Sequence, residues 1–219
     1  MRFYRESIYP ALVERLGNPA PIQTLRREIV PRAAGTVLEI GAGSGLNFPY
    51  YDRSKVRKLF ALEPNPGMRR RAEEQRRRLG LDVEFLSLPG ERIPLDEGSV
   101  DTVVTTFTLC TIAPLREALS GLSRVLRPGG TLLFLETSVA PDNRVRRWQR
   151  WWEPVHHRVF QGLFLTRDIP SMVAGAGLRI ERVEHEYLSP FPKSWSHCCW
   201  GIATREGSAR SIVDTFVGP

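Results

Sequence analysis

Three glycines alternate in Gly41-Ala42-Gly43-Ser44-Gly45, directly after the apolar run Thr36-Val37-Leu38-Glu39-Ile40. Lacking Cβ atoms, such a turn can take positive φ and let a nucleoside or amino-acid moiety rest against bare backbone. Glycine-rich turns also close ordinary loops, so the chemistry depends on what surrounds this one. A dinucleotide fingerprint wants a third glycine at position 46, and Leu46 stands there, which disfavours NAD. A second apolar run, Val56 to Leu62, ends at Glu63, about 20 residues beyond the loop. One carboxylate at that strand tip can accept both hydroxyls of an adenosine ribose.

The elements that must position these groups alternate regularly. Asn65 has the chemistry of an N-cap, Pro66 suits the first helical position, and Gly80 falls where a left-handed C-terminal cap belongs. Between them Arg69 to Arg78 is broken by Glu73 and Glu74 and reads as a solvated face rather than a nucleic-acid patch. Asp82 to Leu86 and Val100 to Thr106 read as the next strands. Leu115, Ala118, Leu119, Leu122 and Leu126 give an amphipathic helix over Pro114 to Leu126, and Pro128-Gly129 suits a type II turn feeding a strand over Thr131 to Leu135. Strand and helix in this rhythm predict an α/β fold with a doubly wound parallel sheet, whose ligands bind beyond the carboxyl ends of the strands.

Taken in order, Val37-Leu38-Glu39-Ile40-Gly41-Ala42-Gly43-Ser44-Gly45, Leu62-Glu63-Pro64, Gly98-Ser99-Val100-Asp101 and Leu126-Arg127-Pro128-Gly129-Gly130 resemble successive motifs of class I S-adenosylmethionine-dependent methyltransferases. The likeness covers roughly residues 34 to 136. It implies a Rossmann-like, seven-stranded, mostly parallel sheet whose last strand is antiparallel, with 178–187 and 196–204 as the final two strands. It also implies S-adenosyl-L-methionine as cofactor. By that resemblance Glu39, Gly41, Ala42, Gly43, Gly45 and Asn47 serve the methionine end, and Glu63 the ribose. Pro64 and Met68 flank the adenine, Gly90 and Glu91 border its edge, and Thr106 and Phe107 close over the cofactor. Many relatives carry an aspartate before the position of Gly90; Pro89 stands here and cannot supply a side-chain hydrogen bond to the adenine amine.

At 219 residues, with 42% hydrophobic and 25% charged content, residues 1–219 suit one globular domain. The N-terminus shows no long apolar run, so neither a signal peptide nor a membrane anchor is expected, and a cytoplasmic location follows. Cys110, Cys198 and Cys199 all lie in apolar, strand-like surroundings and read as packed thiols rather than a metal site. A net charge of +7 invites a nucleic-acid or membrane reading. The arginines, however, are spread over the helices without any recognisable RNA-binding module, which argues against nucleic acid. The exception is 144–152, where arginines interleave with Trp148, Trp151 and Trp152. It could contact an anionic bilayer, or pack through those tryptophans and Val155 as a lid over a substrate pocket.

Residues 137–168 follow the fifth strand, where methyltransferases of this class insert substrate-selecting structure. Here Trp148-Gln149, Glu153-Pro154, His157, Phe160, Gly162 and Leu165-Thr166-Arg167, together with Leu109-Cys110, resemble the animal membrane-associated thiol methyltransferases. The sequence shows no counterpart of their hydrophobic N-terminal anchor, so none is expected, and His156 replaces the aromatic residue before their histidine. The acceptor implied is a small molecule, a thiol or another soft lipophilic nucleophile. A free thiol has a pKa of about 8.5, so a nearby cation would raise its reactive fraction; His157, Arg167 and His197 are the catalytic candidates. Two other readings stand beside this one. The first is a carbon or nitrogen methyltransferase of a quinone precursor or lipid headgroup, and the second a non-catalytic cofactor- or RNA-binding scaffold.

Overall fold

The computed structural model describes residues 9–86, 93–160 and 162–207. Strand β1 (Gly35–Ile40) lies inside a seven-stranded sheet because Val37 and Leu38 are both fully buried, one toward each face. It pairs in parallel with β2 (Val56–Leu62) and with β4 (Val100–Thr106). With β5 (Leu126–Thr137) and β7 (His197–Arg205), and with β3 (Val83–Leu86) at one edge and β6 (Leu178–Tyr187) at the other, the sheet runs β3-β2-β1-β4-β5-β7-β6. β5 is parallel to β4, whereas β7 is inserted antiparallel between β5 and β6. A mostly parallel sheet with a reversed last strand is the expected architecture.

Two apolar layers cover the sheet. On one face Ile22, Leu25 and Ile29 of α2 (Ala20–Ile29) and Ala72 of α3 (Pro66–Leu79) pack with Val37, Leu59 and Val104. On the other, the stripe Leu115, Leu119 and Leu122 of α4 (Leu115–Val125) and Ile169 and Val173 of α6 (Ile169–Gly175) pack with Leu38, Val103 and Leu132. The punctuation of α3 follows its residues: the Asn65 side chain accepts the Gly67 and Met68 amides at 2.9 and 3.2 Å, and Gly80 closes the helix at φ +58.

β5 is longer than its sequence suggests. Val100 pairs with Leu126 and Thr102 with Thr131, so 127–130 bulge out of the ladder around Gly129 at φ +76, and the strand resumes and runs on to Thr137. Within 137–168 the tryptophan-bearing segment is a helix, α5 (Asn143–Val159), which packs against the short α7 (Lys193–Ser196). α1 (Tyr9–Leu16) precedes α2 in the chain.

Candidate active site

The strand order reverses between β1 and β4, and the carboxyl ends of β1, β2 and β4 leave a crevice there. A chamber of about 270 Å³ fills it, walled by Gly41, Ala42 and Gly43 after β1, Glu63 and Pro64 after β2, Met68 of α3, Thr106 at the end of β4 and Phe107 just beyond it. Gly41 admits no side chain. Its φ is +71, and a Cβ would lie 2.3 Å from Thr108 Oγ1. Glu63 is buried at the chamber wall, its carboxylate accepting the amides of Gly43 and Asn65 at 2.8 Å each. Burial pushes its pKa up, opposed by those two hydrogen bonds.

Glu39, Gly45 and Asn47 lie behind this wall rather than in it. Glu39 is fully buried; its two oxygens accept Asn47 Nδ2 at 2.8 Å and the Tyr51 hydroxyl at 2.9 Å. Burial lifts its carboxyl to about 7 despite those bonds and the nearby charge of Arg26. Arg26 comes from α2. Its guanidinium donates to Asn47 Oδ1 and, at 3.1 Å, to Thr106 Oγ1, and it lines the same chamber. Gly45 is held close to Phe48, which a Cβ would approach to 2.7 Å. Gly90 and Glu91 lie outside the described residues.

A second chamber, of about 220 Å³, adjoins the first. Tyr9, Val13, Gly17, Phe107 and Thr111 line both. The rest of its wall is mainly apolar, with Ile22, Leu163, Leu188, Phe191 and Trp195, and its titratable members include His156 and Cys198. Phe107, at the junction, holds φ +52, the one positive value at a non-glycine among the described residues. For a bulky side chain that is strained geometry of the kind that collects at functional sites.

Residues 38–134 match the family described as a methyltransferase domain. Human thiol S-methyltransferase TMT1B is 33% identical over 170 residues, 74% of this chain and 67% of that protein. The chain belongs to the class I S-adenosylmethionine-dependent methyltransferases. A demethylmenaquinone methyltransferase of Clavibacter sepedonicus is 34% identical over 123 residues, 55% of this chain and 49% of its own. A solved SAM-dependent methyltransferase from Aquifex aeolicus superposes with a TM-score of 0.60 at 22% identity, over 90% of this chain and 98% of that one, a likeness of fold. The chain thus spans about two thirds of the length of the thiol methyltransferases it matches.

S-adenosylmethionine is the cofactor of this methyltransferase, and the first chamber fits it. Bare backbone at Gly41 and Gly43 and an acid at the tip of β2 are the groups such a donor needs.

The histidine and arginine candidates are not in the walls of either chamber. His157 is exposed, its ring 4.8 Å from that of Phe164. Arg167 stacks over Phe164 at 4.0 Å and donates to the carbonyls of Leu109 and Ala113, tying down the turn after β4. His197 is buried, its Nδ1 2.9 Å from the Ser138 carbonyl and its ring stacked on His185. Burial lowers the pKa of both Arg167 and His197.

The residues of 137–168 singled out in the sequence mostly build this segment itself. The Glu153 carboxylate accepts the amides of Leu165 and Thr166 at 2.8 Å and the Thr166 hydroxyl at 2.7 Å. Gln149 spans Ala140 and Ser138 at 2.9 and 3.1 Å. His156 is the residue these ties deliver to the second chamber. Its Nδ1 lies 3.1 Å from the Trp152 carbonyl, its ring packs on Trp195 and Phe160, and burial lowers its pKa.

Sequence reasoning missed Arg26, Tyr51, Thr111, Glu136 and His156. Glu136, fully buried at the end of β5, accepts the amides of Thr108 and Cys110 at 3.1 and 3.2 Å and so shapes the turn that carries Thr111. A lone acid inside the apolar run of β5 was its available signal. Among the described residues no cluster of His, Cys, Asp and Glu could hold a metal, and no helix is long and apolar enough to cross a membrane. The three cysteines are free and buried.

Proposed function

We propose that this methyltransferase acts on a small lipophilic molecule with a soft nucleophilic atom, a thiol foremost. The observation that carries the reading is the mainly apolar chamber that shares Phe107 and Thr111 with the donor chamber. Bound S-adenosylmethionine supplies a methyl group already activated on its sulfonium, so alignment and exclusion of water do most of the work. An apolar wall suits an aliphatic or aromatic thiol, whose desolvation costs less than that of an amine or carboxylate. His156 serves as the proton acceptor of this pocket: with Nδ1 engaged by the Trp152 carbonyl and its pKa depressed, its ring is neutral at pH 7 and leaves Nε2 as the basic nitrogen. Arg167 and His197 act from behind as positioning residues, through the 109–113 turn and the β5 to β7 contact at Ser138.

Labelled donor offered with a panel of aliphatic thiols, phenols, amines and quinone precursors is expected to label thiols first. Label confined to carbon or oxygen acceptors would overturn that preference.

A second reading, a quinone precursor or lipid headgroup met at a bilayer, is favoured by one surface feature. The exposed large apolar side chains of the described residues are Trp148, Trp151, Val155 and Val159 of α5 and Trp195 of α7. Arg144, Arg147, Arg150 and Arg158 flank them on α5, with no ion pair among the described residues. Binding to anionic liposomes that disappears with added salt supports this reading.

A further inference from the structure

Every large apolar side chain that the described residues expose belongs to α5 or α7, two helices that pack together. Trp148 and Trp151 are 57% and 64% exposed, and Val155 is exposed one turn further on. Spaced three and four apart, these three share one side of α5. The opposite side is anchored: Gln149 and His156 are buried, and the Glu153 carboxylate accepts the Leu165 and Thr166 amides. The exposed stripe is therefore a fixed surface of the folded chain, of a kind that marks an interaction site when it is contiguous.

The stripe continues inward. Trp148 meets Trp151 edge to face at 5.7 Å between ring centroids, Trp151 meets Trp152 at 4.7 Å, and Trp152 meets Trp195 at 5.5 Å. Trp195 is 39% exposed on this face and also stands in the wall of the second chamber, its ring 4.7 Å from that of His156. An unbroken aromatic surface thus joins the outside of α5 to the chamber assigned to the acceptor.

Charge decides what covers the face. Glu153 is the one acid within α5, and the amides of Leu165 and Thr166 occupy it. Arg144, Arg147, Arg150 and Arg158 flank the stripe without an ion pair among the described residues. Two of them, Arg147 and Arg150, line a cleft with Asn143 and Arg146. A second copy of this chain related by a two-fold axis would set these arginines against their own counterparts, and like-charged faces repel. Tryptophan bordered by arginine instead matches the layer where anionic headgroups meet acyl chains: indole bodies sit at the boundary, and guanidinium groups pair with phosphate.

We propose that the α5–α7 face docks on the interfacial layer of an anionic lipid bilayer, and that the second chamber opens into that layer beside Trp195. A lipophilic acceptor dissolved in the membrane enters the chamber from the lipid without crossing water, while the donor reaches the first chamber from solution. The inference deepens the membrane reading given above and rests on the second chamber holding the acceptor. It serves a thiol as well as a quinone precursor.

The full chain is expected to sediment with vesicles of mixed phosphatidylcholine and phosphatidylserine and not with phosphatidylcholine alone. Release is expected when added salt shortens the screening length from about 10 to about 3 Å. Trp148→Gln combined with Trp151→Gln, both at exposed positions, should weaken vesicle binding by about 10- to 100-fold. Arg144→Gln, Arg147→Gln and Arg158→Gln together should weaken it by about 100-fold. A transfer assay reads the route, with labelled donor and either a long-chain alkanethiol held in the same vesicles or a short water-soluble thiol. The tryptophan double variant should lose transfer to the vesicle-borne thiol by about 10-fold or more and keep transfer to the soluble one within about twofold. Equal binding to both vesicle types, or binding that neither variant changes, overturns the docking. So does a dimer in vesicle-free solution that the tryptophan variant splits, which makes a second copy the occupant. Equal loss of transfer to both thiols, in a variant that circular dichroism shows to be folded, overturns the delivery route. Vesicle binding with transfer to neither thiol supports the docking and overturns the thiol reading of the second chamber instead.

Discussion

The Glu63 carboxylate accepts the Gly43 amide at 2.8 Å, joining the tip of β2 to the glycine turn after β1. The same acid accepts the Asn65 amide, which begins α3, so one side chain sets the spacing of three elements around the donor chamber. Replacing Glu63 by Ala is expected to weaken S-adenosylhomocysteine binding on the order of 10- to 100-fold, the loss of charge-assisted hydrogen bonds to a ribose. His157→Ala, at an exposed position, is expected to leave it within about twofold. Calorimetry that returned the reverse order would overturn the division of roles.

Gly41 and Gly80 both have positive φ, but their surroundings differ. A Cβ at Gly41 meets Thr108 at 2.3 Å, whereas one at Gly80 meets nothing within 4 Å. Gly80→Ala therefore carries the left-handed backbone penalty alone, about 1 to 2 kcal/mol, and Gly41→Ala adds overpacking for a total of about 2 to 5 kcal/mol. Urea unfolding of the two variants gives the comparison. Equal shifts in midpoint would mean that the turn at Gly41 relaxes freely away from β4.

Glu39 makes stability depend on pH. In the folded protein its carboxyl keeps a proton up to about 7, while the unfolded chain releases it near 4.5. Folding then takes up a proton across that window, so stability falls as pH rises from 5 to 8, by on the order of 3 kcal/mol from this group. Burial shifts Glu63 and Glu136 in the same direction. Glu39→Gln is expected to flatten the slope of unfolding free energy against pH in this interval, and an unchanged slope would show that Glu39 ionises normally in the fold.

How much of this could be seen in the chain follows from what each residue type signals locally. The β1 turn, the caps of α3 and the stripe of α4 were legible because glycine, proline, asparagine and leucine periodicity report on backbone and burial directly. The end of β5 was not, since a strand that bulges at Pro128 to Gly130 and resumes is fixed by pairing to β4 rather than by its own residues. Arg26 sits among Arg27 and Glu28, where a helix charge usually means solvent; only its position within the stripe of Ile22, Leu25 and Ile29 marks it as inward. For the acceptor side the signal was a pair of adjacent histidines. Choosing between them needed the rotation of α5, which the sequence does not state because Pro154 and three tryptophans blur its apolar face.

That rotation sets up the last prediction. His156 and His157 are neighbours on α5, yet one lines the apolar chamber and the other faces outward. If His156 accepts the proton of a thiol, His156→Ala should lower acceptor turnover by about 100-fold or more while leaving S-adenosylhomocysteine affinity within about twofold. His157→Ala should leave both nearly unchanged. Because burial depresses the His156 pKa, turnover should hold as pH falls through 7 and decline only below the ordinary histidine value of about 6.5. His156→Phe preserves an aromatic ring against Trp195 and Phe160 but removes the basic nitrogen, so it separates packing from proton transfer. Full turnover in the phenylalanine variant would reduce His156 to a piece of the wall, and thiol methylation would then rely on the thiolate already present in solution.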